Sequence, residues 1–442
     1  MKSYIVLGEI RKYKSKVFES AGKFISKEHV KEVFREHTQR NRTYNEWTLF
    51  QLYLNQSTTG ISCTDAVAWG IGSGLLAPYT SPESQAYSNS RNRLSEEPLK
   101  GIMTSVGREI EKVADQRRRP FGRNVVVADG TSVQLPDTKA NQREYPQPPG
   151  QKPGCGQPVM YLAALMGLQS GTILDVACGG EMGHERALFR ELWPTLNEGD
   201  IVIADNGLCS YADFAKLLDL RVDLVMAQRY NALENKELIE IGKDDYIVIW
   251  ERGKQELKWT ERDDLPEHMV VRAIRFSRMT NDGIELDMIL FSTLLDRRRY
   301  TREKLIDLYR RRWEIEVSFD DIKTEMGLDL LKRKRPERCR SEVWMGLLAY
   351  NIIRGVILDA ARKAGLPPRR ISFKGTVQRL NRYFNPGLFN GDPERTYELL
   401  LDHLAVDTVP YRPGRREPRK RKRRGKNYGL LNEPRDSFIH AA

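Results

Sequence analysis

Two short segments of this chain are near copies of each other, and together they limit what it can fold into. The run VVVA of residues 125–128 ends in Asp129, and the run IVIA of residues 201–204 ends in Asp205. Glycine follows each aspartate within two residues. An apolar run of this kind is typical of a strand buried on both faces, and the aspartate indicates where the strand opens to solvent at the edge of a sheet. One such aspartate is often only a turn former. Because two share the same context, we interpret the pair as functional.

The order of predicted elements around these runs favours an α/β fold. Residues before about 120 are predicted as helices joined by polar connectors, and short β-branched runs alternate with helices from Asn124 onward. Further strand-like runs at about 228–292 indicate a β-rich insertion. The strongly helical segment from Thr301, a long apolar helix near residues 343–365 and another helical pair follow. We therefore predict a helical N-terminal domain at 1–120, a core at 121–365, and a C-terminal helical region with a basic tail at 366–442.

One connector in the predicted core is unusually long. Residues 138–158 are rich in proline and glycine and begin a few residues after Asp129. Loops of about twenty residues inside a compact domain tend to be functional or disordered. We expect this segment to be mobile beside a substrate, and a plain linker is the alternative.

The composition excludes several classes of protein. No apolar run approaches the roughly 20 residues that a membrane span needs, so we do not expect a membrane protein. The five cysteines are scattered without a Cys-x-x-Cys pair, which argues against a disulfide framework and against a thiolate zinc site. The N-terminus has too short an apolar stretch for a secretory signal peptide. We therefore expect a reduced, cytoplasmic protein.

Lysine and arginine form a dense block near the C-terminus. Residues 412–426 contain ten Lys or Arg and one glutamate, and so hold most of the chain's net charge of +12. Such a block stays solvated unless a polyanion releases counterions to it, which favours nucleic-acid binding over a merely solubilising tail. Basic clusters at 297–299, 310–312 and 332–335 support that interpretation. The candidate DNA contacts from these clusters are Lys332, Arg333, Arg421 and Arg423.

The helix predicted from about Thr301 supplies a third carboxylate. At about 100° per residue, four polar residues share an arc of about 60° on this helix, namely Tyr309, Arg312, Glu316 and Lys323. The apolar stripe of the helix borders this arc, so Glu316 is expected at the rim of the core beside the two aspartates. A surface helix with an ordinary ion pair between Arg312 and Glu316 is the alternative. Asp320 is a rival third carboxylate, whereas Asp321 is expected to point away.

Three carboxylates with no histidine or cysteine nearby in the sequence suit Mg²⁺ or Mn²⁺ rather than zinc. Two such ions can activate a water or a 3′-hydroxyl and stabilise the leaving oxygen of an in-line phosphoryl displacement. On the same helix face, Arg312 and Lys323 are suited to hold phosphates, and the Tyr309 hydroxyl is suited to donate to another. Trp313 lies near enough to stack on a base, with a partly buried packing role as the alternative.

These residues resemble a known family. Tyr309, Arg312, Glu316 and Lys323 fit the Y-x2-R-x3-E-x6-K signature of the insertion-sequence-four type of DDE transposases. The segments VVVADGTSVQLPDT and GDIVIADNGLCSYADF and the RREPRKRKRR tail are similar to the same family, and the resemblance covers about residues 120–426. The chain departs from many relatives after Asp205, where Asn206 and Gly207 replace an arginine or similar group.

The resemblance implies a ribonuclease-H-like catalytic core with a β-strand insertion before the glutamate. It implies Asp129, Asp205 and Glu316 as a metal-binding triad, and the other three signature residues as contacts to transposon-end DNA. The implied activity is Mg²⁺-dependent or Mn²⁺-dependent cutting and joining of terminal inverted repeats to target DNA, by a homodimer associated with a bacterial nucleoid. We assign end recognition to residues 1–120. The alternatives are a metal-dependent nuclease of the same fold and a catalytically silent inverted-repeat-binding protein.

Overall fold

The structure is a computed structural model, and it describes a defined part of the chain. The described residues are 25, 27–34, 43–114, 118–180, 185–208, 210–228, 230–234, 236–253, 259–261, 264–279, 285–383, 393–410 and 431–434. The predicted contacts Arg421 and Arg423 lie outside these ranges.

A mixed β-sheet forms the centre of the fold. Its strands among the described residues are β1 (Val125–Gln134), β2 (Val159–Gly167), β3 (Ile173–Gly179), β4 (Ile201–Ala204), β5 (Asp223–Gln228), β6 (Leu238–Gly242), β7 (Asp245–Glu251), β8 (His268–Met279) and β9 (Glu285–Ser292). Their spatial order is β3-β2-β1-β4-β5-β9-β8-β7-β6. The β1, β4 and β5 neighbours run parallel, and all other neighbours run antiparallel. Strands β6–β9, which correspond to the predicted insertion, extend this sheet through the pairing of β9 with β5.

Helices cover both faces of the sheet. Those described are α1 (Lys27–Val33), α2 (Glu46–Thr59), α3 (Cys63–Gly72), α4 (Gln85–Ser90), α5 (Glu96–Val113), α6 (Lys139–Glu144), α7 (Glu185–Glu191), α8 (Tyr211–Asp219), α9 (Arg302–Arg310), α10 (Trp313–Asp320), α11 (Pro336–Ala364), α12 (Phe373–Tyr383) and α13 (Pro393–Val406). The predicted α/β character is confirmed, and the described part of the segment before residue 120 is helical as predicted.

Alternation along β1 divides the core into two layers. Val127 faces one layer, with residues of α2, α5, α9, α10 and α11, whereas Val126 and Ala128 face the other, with residues of α7 and α8. This is the period of two expected of a strand that is covered on both faces. The N-terminal helices therefore share one apolar core with the strand that carries Asp129, and a truncation near residue 120 would uncover that core.

The long helix α11 is the axis of the first layer. By length and composition it is apolar enough to cross a membrane, contrary to the expectation that no run approaches that length, but 83% of its most apolar stretch is buried inside the protein. Asn351 in α11 accepts from the Ile173 amide at 2.8 Å and donates to the Met103 and Ile173 carbonyls. Gly107 of α5 lies directly against this junction, where a Cβ atom would be 2.1 Å from the Ile173 oxygen. The junction thus ties α5, α11 and β3 together.

The proline-rich segment 138–158 is folded by its own amide side chains. It contains α6, and the buried Asn141 donates to the Arg333 carbonyl at 3.3 Å. Gln142 donates to the Gly156 carbonyl at 3.0 Å, and Gln147 donates to the Lys152 carbonyl at 2.9 Å. The structure therefore shows a hydrogen-bonded segment docked near the start of α11, in place of the mobile loop that the composition predicts.

Candidate active site

The parallel register of β1 and β4 brings the two predicted aspartates together. Val127 is opposite Ile203 in that ladder, and Asp129 and Asp205 each follow two residues later. At this level β4 has ended while β1 continues along β2, which leaves a cleft between the two strands. The burial of β1 changes from complete to partial at Asp129. Sequence pattern alone predicted the two strand ends, and the register adds that their carboxylates are neighbours.

Each aspartate is held by a backbone amide just beyond it. The Gly130 N–H donates to Asp129 Oδ1 and the Gly207 N–H donates to Asp205 Oδ1, both at 2.8 Å. These bonds fix one oxygen of each carboxylate toward its own turn. The second oxygen is left for other partners.

One guanidinium joins Asp129 to Glu316. Arg312 donates through Nη1 to Asp129 Oδ2 at 2.9 Å and through Nη2 to Glu316 Oε1 at 2.7 Å. The Arg312 and Asp129 side chains are only 12% and 15% exposed, whereas Glu316 is 32% exposed. The predicted helical pair between Arg312 and Glu316 is thus present, but it is half of a bridge that reaches the sheet. Arg312 thereby links Glu316 to Asp129.

The protonation equilibria of these groups are coupled. Burial raises the pKa of Asp129 to about 6; Asp205 and Glu316 also act to raise it, while Arg312 and the Gly130 amide act to lower it. Burial lowers the pKa of Arg312, but Asp129, Tyr309 and Glu316 outweigh that effect and raise it above its usual range. Three carboxylates close enough to influence one another are therefore present, with one cationic side chain among them.

The chemistry of this donor set fits a hard divalent cation. Oxygen ligands from carboxylates are what Mg²⁺ and Mn²⁺ prefer, and a site near a cleft leaves room for water and phosphate. Within the described ranges, no three His, Cys, Asp or Glu side chains converge closely enough to enclose a metal ion. Arg312 instead contacts two of the three carboxylates, so a cation that binds both of them must displace its guanidinium.

The signature helix is not continuous, which changes the positions of the other predicted residues. Helix α9 ends at Arg310, α10 begins at Trp313, and a π-helical turn at Asp321–Glu325 contains Lys323. Tyr309 is buried, with its ring edge-on to Phe276 at 6.1 Å between centroids. Its influence on the pKa of Arg312 indicates that the hydroxyl lies near the guanidinium. Tyr309 is therefore placed to support Arg312, and its contact with a phosphate stays a prediction.

Trp313 lies on the exposed side of the same helix. Its side chain is 47% exposed, and Val317 one turn later is 43% exposed. Large apolar side chains that remain exposed beside a polar cleft are typical of a binding surface. A packing role, the alternative, explains the buried half of the Trp313 side chain but not the exposed half.

Asp321, next to the rival carboxylate Asp320, lies among basic side chains. Asp321 contributes to a buried cluster with Arg354 and Arg369, and burial raises its pKa to about 6. Asp320 and Glu325 influence Asp321 in the same cluster. Asp321 therefore points away from the cleft, as expected, and Glu316 is the residue of this helix that bonds to Arg312.

The basic residues after the helix differ in their surroundings. Lys332 is exposed. Arg333 lies near Tyr53 of α2 and near Glu342, because its charge acts to lower the pKa of both groups. The sequence cluster at 332–335 therefore has three exposed members, Lys332, Lys334 and Arg335, and one, Arg333, that lies near the N-terminal helices.

Sequence reasoning missed Glu185, a residue of the first turn of α7. A Cβ atom built on Gly130 would lie 2.7 Å from Glu185 Oε1, so this carboxylate rests on the backbone next to Asp129. The neighbouring Arg186 donates to the Gly207 carbonyl at 2.9 Å. A glycine inside a strand indicates the close approach of another group, and Gly130 was the available signal.

Comparison with known proteins places this chain in a family. Residues 120–352 match the transposase DDE domain. Transposase InsG for insertion sequence element IS4 of Escherichia coli strain K12 is 25% identical over 350 residues, covering 77% of this chain and 75% of that protein. The transposase for insertion sequence element IS421 of Escherichia coli is 35% identical over 81 residues, covering 18% of this chain and 21% of that protein.

One solved structure aligns with most of this chain. The cryo-EM structure of the piggyBac transposase synaptic complex with hairpin DNA aligns with 90% of this chain and 86% of its own chain, at 11% identity and a TM-score of 0.44. The argument for family membership rests on the sequence matches, because the matched domain spans more than half of the chain and contains Asp129, Asp205 and Glu316. The chain therefore belongs to the transposase DDE domain family and is a DNA-cleaving transposase of the insertion-sequence-four type.

Proposed function

We propose that Asp129, Asp205 and Glu316 are the catalytic carboxylates with which this transposase cuts transposon ends and joins them to target DNA. The observation that carries this assignment is the convergence of β1, the end of β4 and α10 on one cleft, with Arg312 bonded to both Asp129 and Glu316. These carboxylates would hold Mg²⁺ or Mn²⁺, which when bound supplies electrostatic stabilisation of the pentavalent phosphoryl transition state. The chain's own contribution is to hold its oxygens in a half-buried cleft open to DNA.

The strand order supports a ribonuclease-H-like core. The first five strands lie in the order β3-β2-β1-β4-β5, with an antiparallel β1-β2-β3 meander and parallel β4 and β5. Parallel strands that open at their carboxyl ends leave a crevice there, and ligands of open α/β sheets bind in such crevices. We assign this unit, with the β6–β9 extension, to the core at 121–365.

DNA binding is assigned to the groups that surround the cleft. Arg312 and Lys323 would hold phosphates of the transposon end, with Tyr309 supporting Arg312 from the core. Trp313 would stack on a base, since its ring is about half exposed on the helix that carries Glu316. The basic residues Lys332, Arg333, Arg421 and Arg423 would add backbone contacts of lower specificity. End recognition by residues 1–120, a homodimeric DNA complex and a nucleoid-associated, cytoplasmic location belong to the same proposal.

The test is cleavage of a labelled duplex that ends in the element's inverted repeat, in Mg²⁺ and in EDTA. Glu316→Gln is compared with Asp307→Asn, a matched control on α9 whose carboxylate is 71% exposed and pairs only with Arg310 among the described residues. We expect Mg²⁺-dependent cleavage at the repeat boundary by the wild type and by Asp307→Asn, and none by Glu316→Gln. Unchanged cleavage by Glu316→Gln would overturn the triad.

The same assay separates the alternative functions. Cleavage without joining to a target duplex would indicate a metal-dependent nuclease. Specific binding of the repeat without cleavage would indicate a silent repeat-binding protein.

A further inference from the structure

A fourth carboxylate reaches the catalytic cleft from the face of the sheet opposite to Glu316. Helix α10 packs on the first core layer through Ile315, and it brings Glu316 to Asp129 from that side. Helix α7 packs on the second layer through Leu188 and Phe189 and begins at Glu185. The cleft between β1 and β4 is thus flanked by a glutamate from a helix on each face.

Gly130 is the feature that admits Glu185. It lies within β1 and has no positive φ, so the backbone conformation there does not require glycine. Its side-chain position is instead filled by Glu185, because a Cβ atom would be 2.7 Å from Oε1 and 2.9 Å from Cδ. These distances are shorter than real Cβ contacts. Glycine at this position therefore makes room for a carboxylate at the residue that follows Asp129.

One hydrogen bond of the neighbouring residue, supported by the electrostatics, places Glu185 near Asp205. Arg186 bonds to the Gly207 carbonyl and anchors the start of α7 on the turn that carries Asp205. Burial raises the pKa of Glu185, and the charge of Asp205 raises it further. Burial and then Glu185 raise the pKa of Tyr161 on β2. The carboxylate thus lies near β2, β1 and the end of β4.

Among the described residues, Glu185 has no compensating hydrogen-bond donor, because no amide, hydroxyl or basic side chain there donates to it. A half-buried carboxylate next to another carboxylate is unfavourable unless a cation is shared between them. A cation bound between Glu185 and Asp205 would offset the repulsion of the two carboxylates.

We propose that Glu185 is a further ligand of the divalent-cation site and binds the cation held by Asp205. This inference rests on the proposed function, since it adds a residue to the site assigned there. It makes Gly130 the residue that sets the distance between the first strand and the fourth carboxylate.

The test is binding of Mn²⁺ alone to the full-length protein without DNA. Binding is measured as the loss of the free Mn²⁺ signal in electron paramagnetic resonance. We expect Glu185→Gln to weaken Mn²⁺ binding by about tenfold or more, the usual range for groups that support a metal site. Gly130→Ala is expected to do the same, because its methyl group displaces the Glu185 carboxylate. The matched control is Glu191→Gln, which removes the same charge from the exposed last residue of α7 and is expected to leave binding unchanged.

The outcomes distinguish the two proposals. If Asp205→Asn weakens Mn²⁺ binding while Glu185→Gln and Gly130→Ala bind as the wild type does, the role of Glu185 is wrong and the triad stands. If Asp205→Asn also binds as the wild type does, the metal site itself is wrong. If circular dichroism shows that Glu185→Gln is unfolded, Gly130→Ala alone decides. In cleavage of end DNA, Glu185→Gln is expected to need about tenfold more Mg²⁺ for half-maximal rate.

Discussion

Arg312 lies 2.9 Å from Asp129 Oδ2, so the most buried carboxylate of the site is already neutralised by a side chain of the protein. The guanidinium has the charge of a counterion and also the geometry to bridge two carboxylates, which a lysine ammonium lacks. Entry of a divalent cation at Asp129 and Glu316 therefore competes with this bridge. Release of Arg312 would turn the same group toward the phosphates that the cleft receives.

Arg312→Gln tests this competition. Without the guanidinium, the metal-free protein is expected to lose about 2 kcal/mol of stability, because a largely buried carboxylate is left without its partner. Mg²⁺ is then expected to raise the melting temperature of the variant more than that of the wild type. Arg312→Lys is the control that retains the charge without the fork. Equal Mg²⁺ shifts in all three proteins would show that Arg312 and the cation do not compete.

Asp129→Asn is expected to stabilise the metal-free protein at pH 7.5. The pKa of Asp129 is about 6 in the folded state against 3.8 ordinarily, so the fold disfavours the charged form. Its contribution to stability is complete below pH 3.8 and is lost as the pH rises through about 6. At about 1.4 kcal/mol per pKa unit, the gain from asparagine is on the order of 2–3 kcal/mol at pH 7.5. Urea unfolding in EDTA at pH 7.5 and pH 5 checks this, and a gain that does not shrink at pH 5 contradicts it.

Gly107→Ala is expected to destabilise the protein by about 3 kcal/mol or more. The added methyl group would meet the Ile173 carbonyl at 2.1 Å and the Asn351 amide at 2.8 Å, and neither can move without breaking the junction of α5, α11 and β3. Gly101 is the matched control, because it lies in the same helix with nothing within 4 Å of its added Cβ. Gly101→Ala is expected to stabilise the helix by about 0.5–1 kcal/mol. Similar unfolding midpoints for the two variants would refute the proposed junction.

Trp313→Ala separates a DNA contact from a packing residue. We expect a change in stability below about 1 kcal/mol, since half of the ring is already exposed, and a loss of end-DNA affinity of about tenfold, the scale of one stacked base. Trp313→Phe is expected to retain most of the affinity. Val317→Ala, on the same exposed side of α10, serves as the control for lost apolar surface. Competition binding with labelled repeat DNA gives the affinities, and unaltered binding by Trp313→Ala would return the residue to a packing role.

The strand ends were predictable because their signal is local. Four apolar residues followed by aspartate and glycine describe a buried strand that reaches the surface, and no distant contact alters that result. The side-by-side placement of Asp129 and Asp205 needed the register of β1 against β4, which the two runs do not encode separately. The position of Glu316 near Arg312 was predictable from helical periodicity. The two residues are only one turn apart, so the short break in the helix has little effect on their spacing.

Features that depend on long-range packing were not predictable. The helical wheel placed Tyr309 with the polar face, but Tyr309 follows the buried Leu305 by one turn of α9 and packs in the core beside Phe276 of β8. The cluster at 332–335 gave no sign that Arg333 would lie near Tyr53, since that residue is far away in the sequence. Glu185 was hidden for the same reason, because its role depends on a glycine of another strand.

The apolar core that α2 and α5 share with β1 limits how a transposase of this architecture can change its DNA specificity. A recognition unit joined by a linker can be exchanged as a whole, with no effect on the chemistry of its neighbour. Here the buried side of the helical region is also the support of the strand that carries Asp129, so substitutions on that side alter the carboxylate geometry as well. Under the proposed assignment of end recognition to this region, new DNA preferences arise one exposed residue at a time, because the inner side of the same helices supports the proposed catalytic strand.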